Sequence, residues 1–286
     1  MPELPELEIV REVLQRRVVG QVIADAKVIP PGGPIVVRDL THRGFEAALT
    51  GATIAGVTRR GKYLVFSLQG GEAEFFAINP KLTGRLQLTE AGAKRMAKTH
   101  VILSLGSGQE LRYVDQKQMG QLYLTHNLDA VPEYAGLGPE PFEVTLEAFR
   151  ERLKPFRGEI KGILTRGAFV AGIGNAYADE ILWAARLHPY RTRTQLTAEE
   201  VGRLHTAMQS TLSEATDKVR LEMGEDIHLK PREFMAVHMK TGEPCPRCGT
   251  PISLVGANQR ITNFCRHCQP GGLIKGMGQA AGAAAS

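Results

Sequence analysis

Two Cys-x2-Cys pairs, Cys245-Pro-Arg-Cys248 and Cys265-Arg-His-Cys268, stand sixteen residues apart, and no other cysteine occurs in the 286-residue chain. Disulfides of a secreted framework would be spread along the sequence, whereas paired knuckles confined to one end are the pattern of a metal site. Zn²⁺ takes four soft ligands in a tetrahedron, and each Cys-x2-Cys turn presents two thiolates from one tight bend. A redox pair is the other chemistry such a motif serves. The expectation is a single structural zinc ion bound by Cys245, Cys248, Cys265 and Cys268, since four thiolates leave no open coordination position for catalysis. The C-terminal segment is thereby committed to a small finger, and the rest of the chain must build its own core.

That remainder divides by periodicity. Residues 5–17 (PELEIVREVLQRR) put Leu7, Val10 and Leu14 on one helical face, with Pro5 in the first turn and Glu6 and Glu8 at the positive end of the helix dipole. From about 21 to 126 the texture changes to short β-rich runs such as TIAGVTRR, YLVFSL, HVILSL and QLYLT, separated by glycine-containing turns. They predict a sandwich or barrel with a helix packed on it. A Pro/Gly-rich stretch, AVPEYAGLGPEPF (130–142), reads as a link, and the pattern beyond it is helical. The capping box Thr197-x-x-Glu200 opens a long helix carrying Val201, Leu204, Met208, Leu212, Ala215 and Val219 down one side. The fold class expected is therefore α+β: an N-terminal β-sandwich with a packed helix (1–130), a link (131–142), a helical domain (143–228) and a four-cysteine zinc finger (239–270). Residues 271–286 are a small-residue tail expected to be disordered.

Composition narrows the class of function. With 43% hydrophobic and 23% charged residues the chain has the make-up of a globular protein. No apolar run approaches the ~20 residues of a membrane span. The opening MPELPELEIV lacks the basic-then-apolar order of a secretory signal, so a cytoplasmic or nucleoid location is the default expectation. A net charge of +5 permits a nucleic-acid partner. Basic clusters at Arg59, Arg60 and Lys62, at Lys94, Arg95 and Lys98, and from Arg150 to Lys161 fit one, but equally fit a solvated surface.

Four places carry candidate chemistry. Methionine is removable ahead of a small residue, and its loss would leave Pro2 with a secondary amine beside Glu3. An α-amine near its reference pKa of ~8 keeps an appreciable neutral fraction at pH 7. It can attack a sugar C1′ to give a cationic iminium, with Glu3 shuttling protons to the sugar oxygen. The same residues also suit an ordinary helix start. In VAGIGNAYADEILW (170–183), Gly172 and Gly174 permit a tight turn that places Asn175 at a helix N-terminus, either a phosphate site or a plain cap. Lys62 in RRGKYLVF begins a strand, as a phosphate ligand or an exposed edge lysine. Arg260 in ANQRITNFCRHC falls between the two knuckles, where a zinc-stiffened hairpin would present it rigidly to phosphate.

Together these segments resemble the formamidopyrimidine-DNA glycosylase/endonuclease VIII family over nearly the whole chain up to about residue 270. PELPELE is similar to the family's opening, RRGKYL to its lysine-bearing strand, LGPEPF to its interdomain link, AGIGNAYADEILW to its helix–two-turn–helix and GEPCPRCG…C-x2-CQ to its finger. The resemblance implies base-excision repair of oxidised bases by a bifunctional glycosylase and abasic-site lyase working on double-stranded DNA as a monomer. It implies Pro2 as nucleophile, Glu3 as proton donor, Glu6 as supporting acid, and Lys62, Asn175 and Arg260 as holders of the phosphates beside a flipped nucleotide. Departures touch lesion choice. Asn79-Pro-Lys-Leu-Thr-Gly84 replaces the family's methionine wedge segment, and Asp115-Gln-Lys-Gln-Met-Gly120 replaces its D-P-R-R-F-G, so the wedge becomes Leu82, Lys117 and Met119. The stretch GEDIHLKPREFMAVHMKTGEP is short and lacks the loop with which 8-oxoguanine enzymes cover their base. An endonuclease VIII-like preference for oxidised pyrimidines and a non-catalytic damage-binding protein of the same fold are the alternatives. Pro2 and Glu3 together argue against the second.

Overall fold

The alternating runs of the N-terminal half fold into nine strands: β1 (Ile23–Val28), β2 (Val37–Asp39), β3 (Thr53–Arg60), β4 (Tyr63–Gln69), β5 (Phe75–Asn79), β6 (Gly84–Glu90), β7 (Thr99–Leu105), β8 (Gln109–Asp115) and β9 (Gln121–Thr125). The structure, a computed structural model, describes residues 1–256 and 261–271. The strands form two sheets, ordered β1-β7-β8-β6 and β2-β9-β5-β4-β3, with all pairs antiparallel except β2–β9. Strand side chains alternate between faces. Leu64, Phe66, Phe76 and Ile78 of one sheet thus meet Leu103, Leu111 and Tyr113 of the other, all no more than 2% exposed. This is the expected sandwich. The expected packed helix, α1 (Leu4–Arg17), adds Leu7, Val10 and Leu14 to the same core.

The other face of the five-stranded sheet is also buried. Tyr63, Val65, Ala77 and Tyr123 point away from the sandwich interior and are covered by residues 128–137, with Val131 buried and the Tyr134 ring edge-on to Tyr63 at 5.4 Å. The Pro/Gly-rich link is thus packed onto the sheet. It is tied further by Glu140, whose carboxylate takes Arg59 at 2.6 Å, Arg60 at 3.0 Å and the Gly61 N–H at 2.7 Å.

Beyond two short helices in the first half, α2 (Gly33–Val36) and α3 (Phe45–Leu49), come α4 (Leu146–Leu153), α5 (Ile160–Leu164), α6 (Asn175–Ala184) and α7 (Ala198–Met223). The capping box at α7 forms as read, with Thr197 Oγ1 accepting from the Glu200 N–H at 3.2 Å and the Glu200 carboxylate accepting from the Thr197 N–H at 2.9 Å. Its apolar stripe is buried throughout. The last turn does more than cover the helices, because Val219 and Met223 join the sandwich core with Ile227. A two-stranded hairpin, β10 (Ser253–Val255) and β11 (Thr262–Phe264), forms the finger. Among the described residues, no helix is long and apolar enough to cross a membrane.

Candidate active site

The N-termini of α1 and α6 meet head to head. Gly172, at φ +90°, turns the chain ahead of α6 so that its carbonyl accepts the Leu4 N–H at 3.1 Å. A Cβ at Gly172 would lie 2.9 Å from the Leu4 side chain, and one at Gly174 would lie 2.4 Å from the Glu3 carboxyl carbon. Both glycines are therefore needed for the approach that lets Glu3 reach α6. The Glu3 carboxylate accepts from the Gly174 N–H at 2.6 Å, the Ala176 N–H at 3.1 Å and the Tyr177 N–H at 3.3 Å. The positive end of α6 is filled by a carboxylate of the same chain, which needs no binding entropy to arrive.

Glu6 completes the pair. It lies one helical turn after Glu3 and takes the Glu3 N–H at 2.9 Å, Arg232 Nε at 2.9 Å and the Tyr177 hydroxyl at 3.3 Å. Glu3 and Glu6 are each only 1% exposed. Burial pushes the Glu3 carboxyl upward, but Arg232, Lys62 and the Ala176 N–H outweigh it, so Glu3 stays below the usual carboxylate range and is ionised. Lys62, in the β3–β4 turn, is lowered chiefly by burial, with Glu3 opposing. These groups open onto a cavity of about 800 Å³ whose walls include Glu3, Lys62, Leu82, Asn175, Lys230 and Arg232. Met1 also lines it, and Pro2 behind it is buried. The Met1 α-amine is pushed down to about 4 by burial and by Lys230 and Arg232.

Known proteins share this arrangement of domains. Residues 1–122 match the formamidopyrimidine-DNA glycosylase N-terminal domain, 137–224 that enzyme's H2TH domain and 242–271 the zinc finger found in FPG and IleRS. The formamidopyrimidine-DNA glycosylase of Symbiobacterium thermophilum is 39% identical, covering 94% of this chain and 90% of the relative.

The chain belongs to the formamidopyrimidine-DNA glycosylase family.

A second member of that family, from Moorella thermoacetica, is 38% identical over 89% of this chain and 94% of its own. Among solved structures, the Lactococcus lactis enzyme bound to DNA containing an abasic site superposes with a TM-score of 0.80 at 31% identity. MutM with carbocyclic 8-oxo-G DNA superposes at 0.81 with 34% identity, and each comparison covers 94% of this chain and 100% of the other. The chain is thus a DNA glycosylase of base-excision repair, with the α+β fold of that family.

Within this glycosylase the finger fits its metal. The four Sγ atoms lie within 4.8 Å of one another, Cys245 to Cys268 at 3.9 Å and Cys248 to Cys265 at 3.4 Å. A tetrahedron of ~2.3 Å Zn–S bonds sets sulfurs about 3.8 Å apart. The Trp183 indole N–H donates to Cys245 Sγ at 3.4 Å and orients that ligand. Arg260 lies outside the described residues. Its neighbour Ile261 lines the cavity, its carbonyl accepting from Asn175 Nδ2 at 2.8 Å and Lys161 Nζ at 2.9 Å.

Leu82, Lys117 and Met119, the residues expected to form the wedge, sit on two bonded loops. Thr83 Oγ1 donates to Asp115, the Lys117 N–H donates to Thr83 Oγ1 at 3.0 Å, and the Gly120 N–H donates to Asp115 at 2.8 Å. Leu82 faces the cavity half-buried, while Lys117 and Met119 are exposed on the second loop. Two groups escaped the sequence. One is Arg232 with Lys230, in the stretch read only as short. The other is a buried relay of Lys161, Asp179 and His238, with Asp179 at 2.6 Å from Lys161 Nζ and 2.8 Å from His238 Nδ1. A Lys-Pro-Arg run before the finger was the only local signal of the first.

Proposed function

We propose that this glycosylase removes oxidised bases from double-stranded DNA and then cleaves the abasic site through the amine of Pro2, freed by loss of Met1. The observation that carries the reading is Glu3: a buried, ionised carboxylate fixed by three backbone N–H groups next to the N-terminal nitrogen, on the wall of an open cavity. The neutral secondary amine attacks C1′, forming the N–C1′ bond as the base departs. Its proton passes to Glu3, which returns it to the ring oxygen as the sugar opens to an iminium. The iminium withdraws electrons from C2′. Water takes a C2′ proton, the C–H electron pair becomes the C2′–C3′ double bond, and the 3′ phosphate leaves with its bonding pair. Lys62, Asn175 and Arg260 would hold the flanking phosphates, with Glu6 supporting Glu3. Leu82 and Met119 would fill the stack the flipped base leaves, and Lys117 would reach the orphaned partner base. The altered wedge and the short 224–244 segment favour ring-opened purines and oxidised pyrimidines at least as much as 8-oxoguanine.

The test is borohydride reduction with abasic-site duplex, followed by mass mapping of the adduct. An adduct on Pro2, lost in a form that retains Met1, is the expected result. Undiminished trapping with Met1 in place would make a lysine the nucleophile.

A further inference from the structure

Arg232 lies on the segment joining α7 to the finger, and its side chain is 16% exposed. Its Nε donates to Glu6 at 2.9 Å. One terminal nitrogen lies 3.7 Å from Glu3 Oε1 and donates to the Met1 carbonyl at 2.8 Å. The guanidinium carbon stands 5.5 Å from the centre of the Tyr177 ring. The Met1 carbonyl carbon is bonded to the Pro2 nitrogen, so covalent geometry holds that same guanidinium nitrogen within about 5 Å of it. Loss of Met1 removes the carbonyl acceptor and leaves a cation beside the freed amine.

A positive charge at such a range disfavours protonation of an amine. Glu3 just ahead of α1, Glu6 within it and Lys62 of the β3–β4 turn face the same point, with Lys81 beyond Lys62. Tyr177 faces it from α6, and Lys230 from Arg232's own segment. Glu3 is engaged by three backbone N–H groups, and Glu6 by one backbone N–H and the Tyr177 hydroxyl. Glu3 still favours the protonated amine, but at the amine now in place burial, Lys230 and Arg232 together outweigh it. The low value of the Met1 α-amine, held down by burial and then by Lys230 and Arg232, is the same effect on the amine now in place.

Resting on the reading of Pro2 as nucleophile, we propose that Arg232 is a positioning residue for it. Through Nε the guanidinium holds Glu6, and through one terminal nitrogen it sits beside Glu3 and keeps the adjacent N-terminal amine unprotonated and ready to attack at neutral pH. Deleting its charge raises the amine's pKa, so the acid limb of the lyase rate moves to higher pH.

The experiment uses the full chain with Met1 removed and a preformed abasic-site duplex, in single turnover from pH 5.5 to 9.5. Arg232→Gln is expected to lose at least about tenfold more rate at pH 6 than at pH 9, the effect of one pKa unit. Arg232→Lys, which keeps the charge without the fork, should regain most of the pH 6 rate. Equal loss at every pH overturns the proposal and leaves Arg232 a packing residue. Should Arg232→Gln fail to fold, ¹⁵N titration of Pro2 in the parent protein and in Arg232→Met decides it: a higher midpoint in the variant supports the proposal, and an equal one overturns it. A borohydride adduct mapped away from Pro2 fails the nucleophile reading itself, and an adduct on Pro2 with an unmoved acid limb fails only Arg232.

Discussion

Glu3 shows how a carboxylate can be almost wholly removed from water and keep its charge. Desolvation alone would neutralise it, but three N–H groups at a helix N-terminus and the guanidinium of Arg232 supply what water gave up. Its folded pKa lies below its ordinary value of 4.5, so the stability it contributes is complete above pH 4.5 and is lost as the pH falls through the folded value. In the proposed mechanism an ionised Glu3 takes the proton of the amine first and then passes it to the ring oxygen. Glu3→Gln removes that relay. Base excision from damaged duplex should fall by about 100-fold or more. Elimination at a preformed abasic site should fall far less, because no glycosidic bond has to break. Equal losses in the two single-turnover assays would assign Glu3 to the elimination step.

At the scale of elements, the finger is clamped onto α6. Trp183, the chain's one tryptophan, donates to Cys245 Sγ, and Arg247 stacks on its ring at 4.1 Å while donating to its carbonyl at 3.0 Å. Gln269 donates to the Leu187 carbonyl at 2.9 Å from the finger's far end. Through Asn175 and Lys161, the start of β11 is held to α5 and α6 at the cavity wall. Metal and cavity are thus mechanically connected. Chelation should release one zinc per chain, shift the tryptophan emission to the red and weaken DNA binding together. Cys248→Ser should show all three changes without chelator. Zinc loss with an unchanged emission spectrum would mean that α6 does not depend on the metal.

For the molecule as a whole, the link that leaves the sandwich is pinned back onto it by Glu140. Its side chain is 12% exposed and joins two arginines, of which Arg59 is 9% exposed and also reaches Glu8 of α1 at 2.6 Å. Removing one partner of so enclosed a group strands the other charges. Glu140→Gln should cost about 3 kcal/mol of folding free energy in denaturant titration. A loss under about 0.5 kcal/mol, the range of exposed pairs, would show that water already serves these arginines.

Local physics made much of this protein legible before folding. The 3.6-residue stripe of α7, the Thr197–Glu200 cap, the alternating strands and the four clustered thiols each depend on residues close in sequence, and each appears in the structure where it was read. Glu3 was visible as a candidate because it adjoins the N-terminus. Its partners were not, since Gly174, Ala176 and Tyr177 are about 170 residues away and Arg232 is farther still. The link read as a spacer became a cover for a sheet because only the assembled sandwich exposes Tyr63 and Val65 on its outer face. The amides at the start of α6 hold Glu3 because an amide donor takes whichever anion the fold delivers to it. Periodicity and spacing are carried by the chain itself, whereas the partner of a buried charge is settled only when distant segments exclude water together.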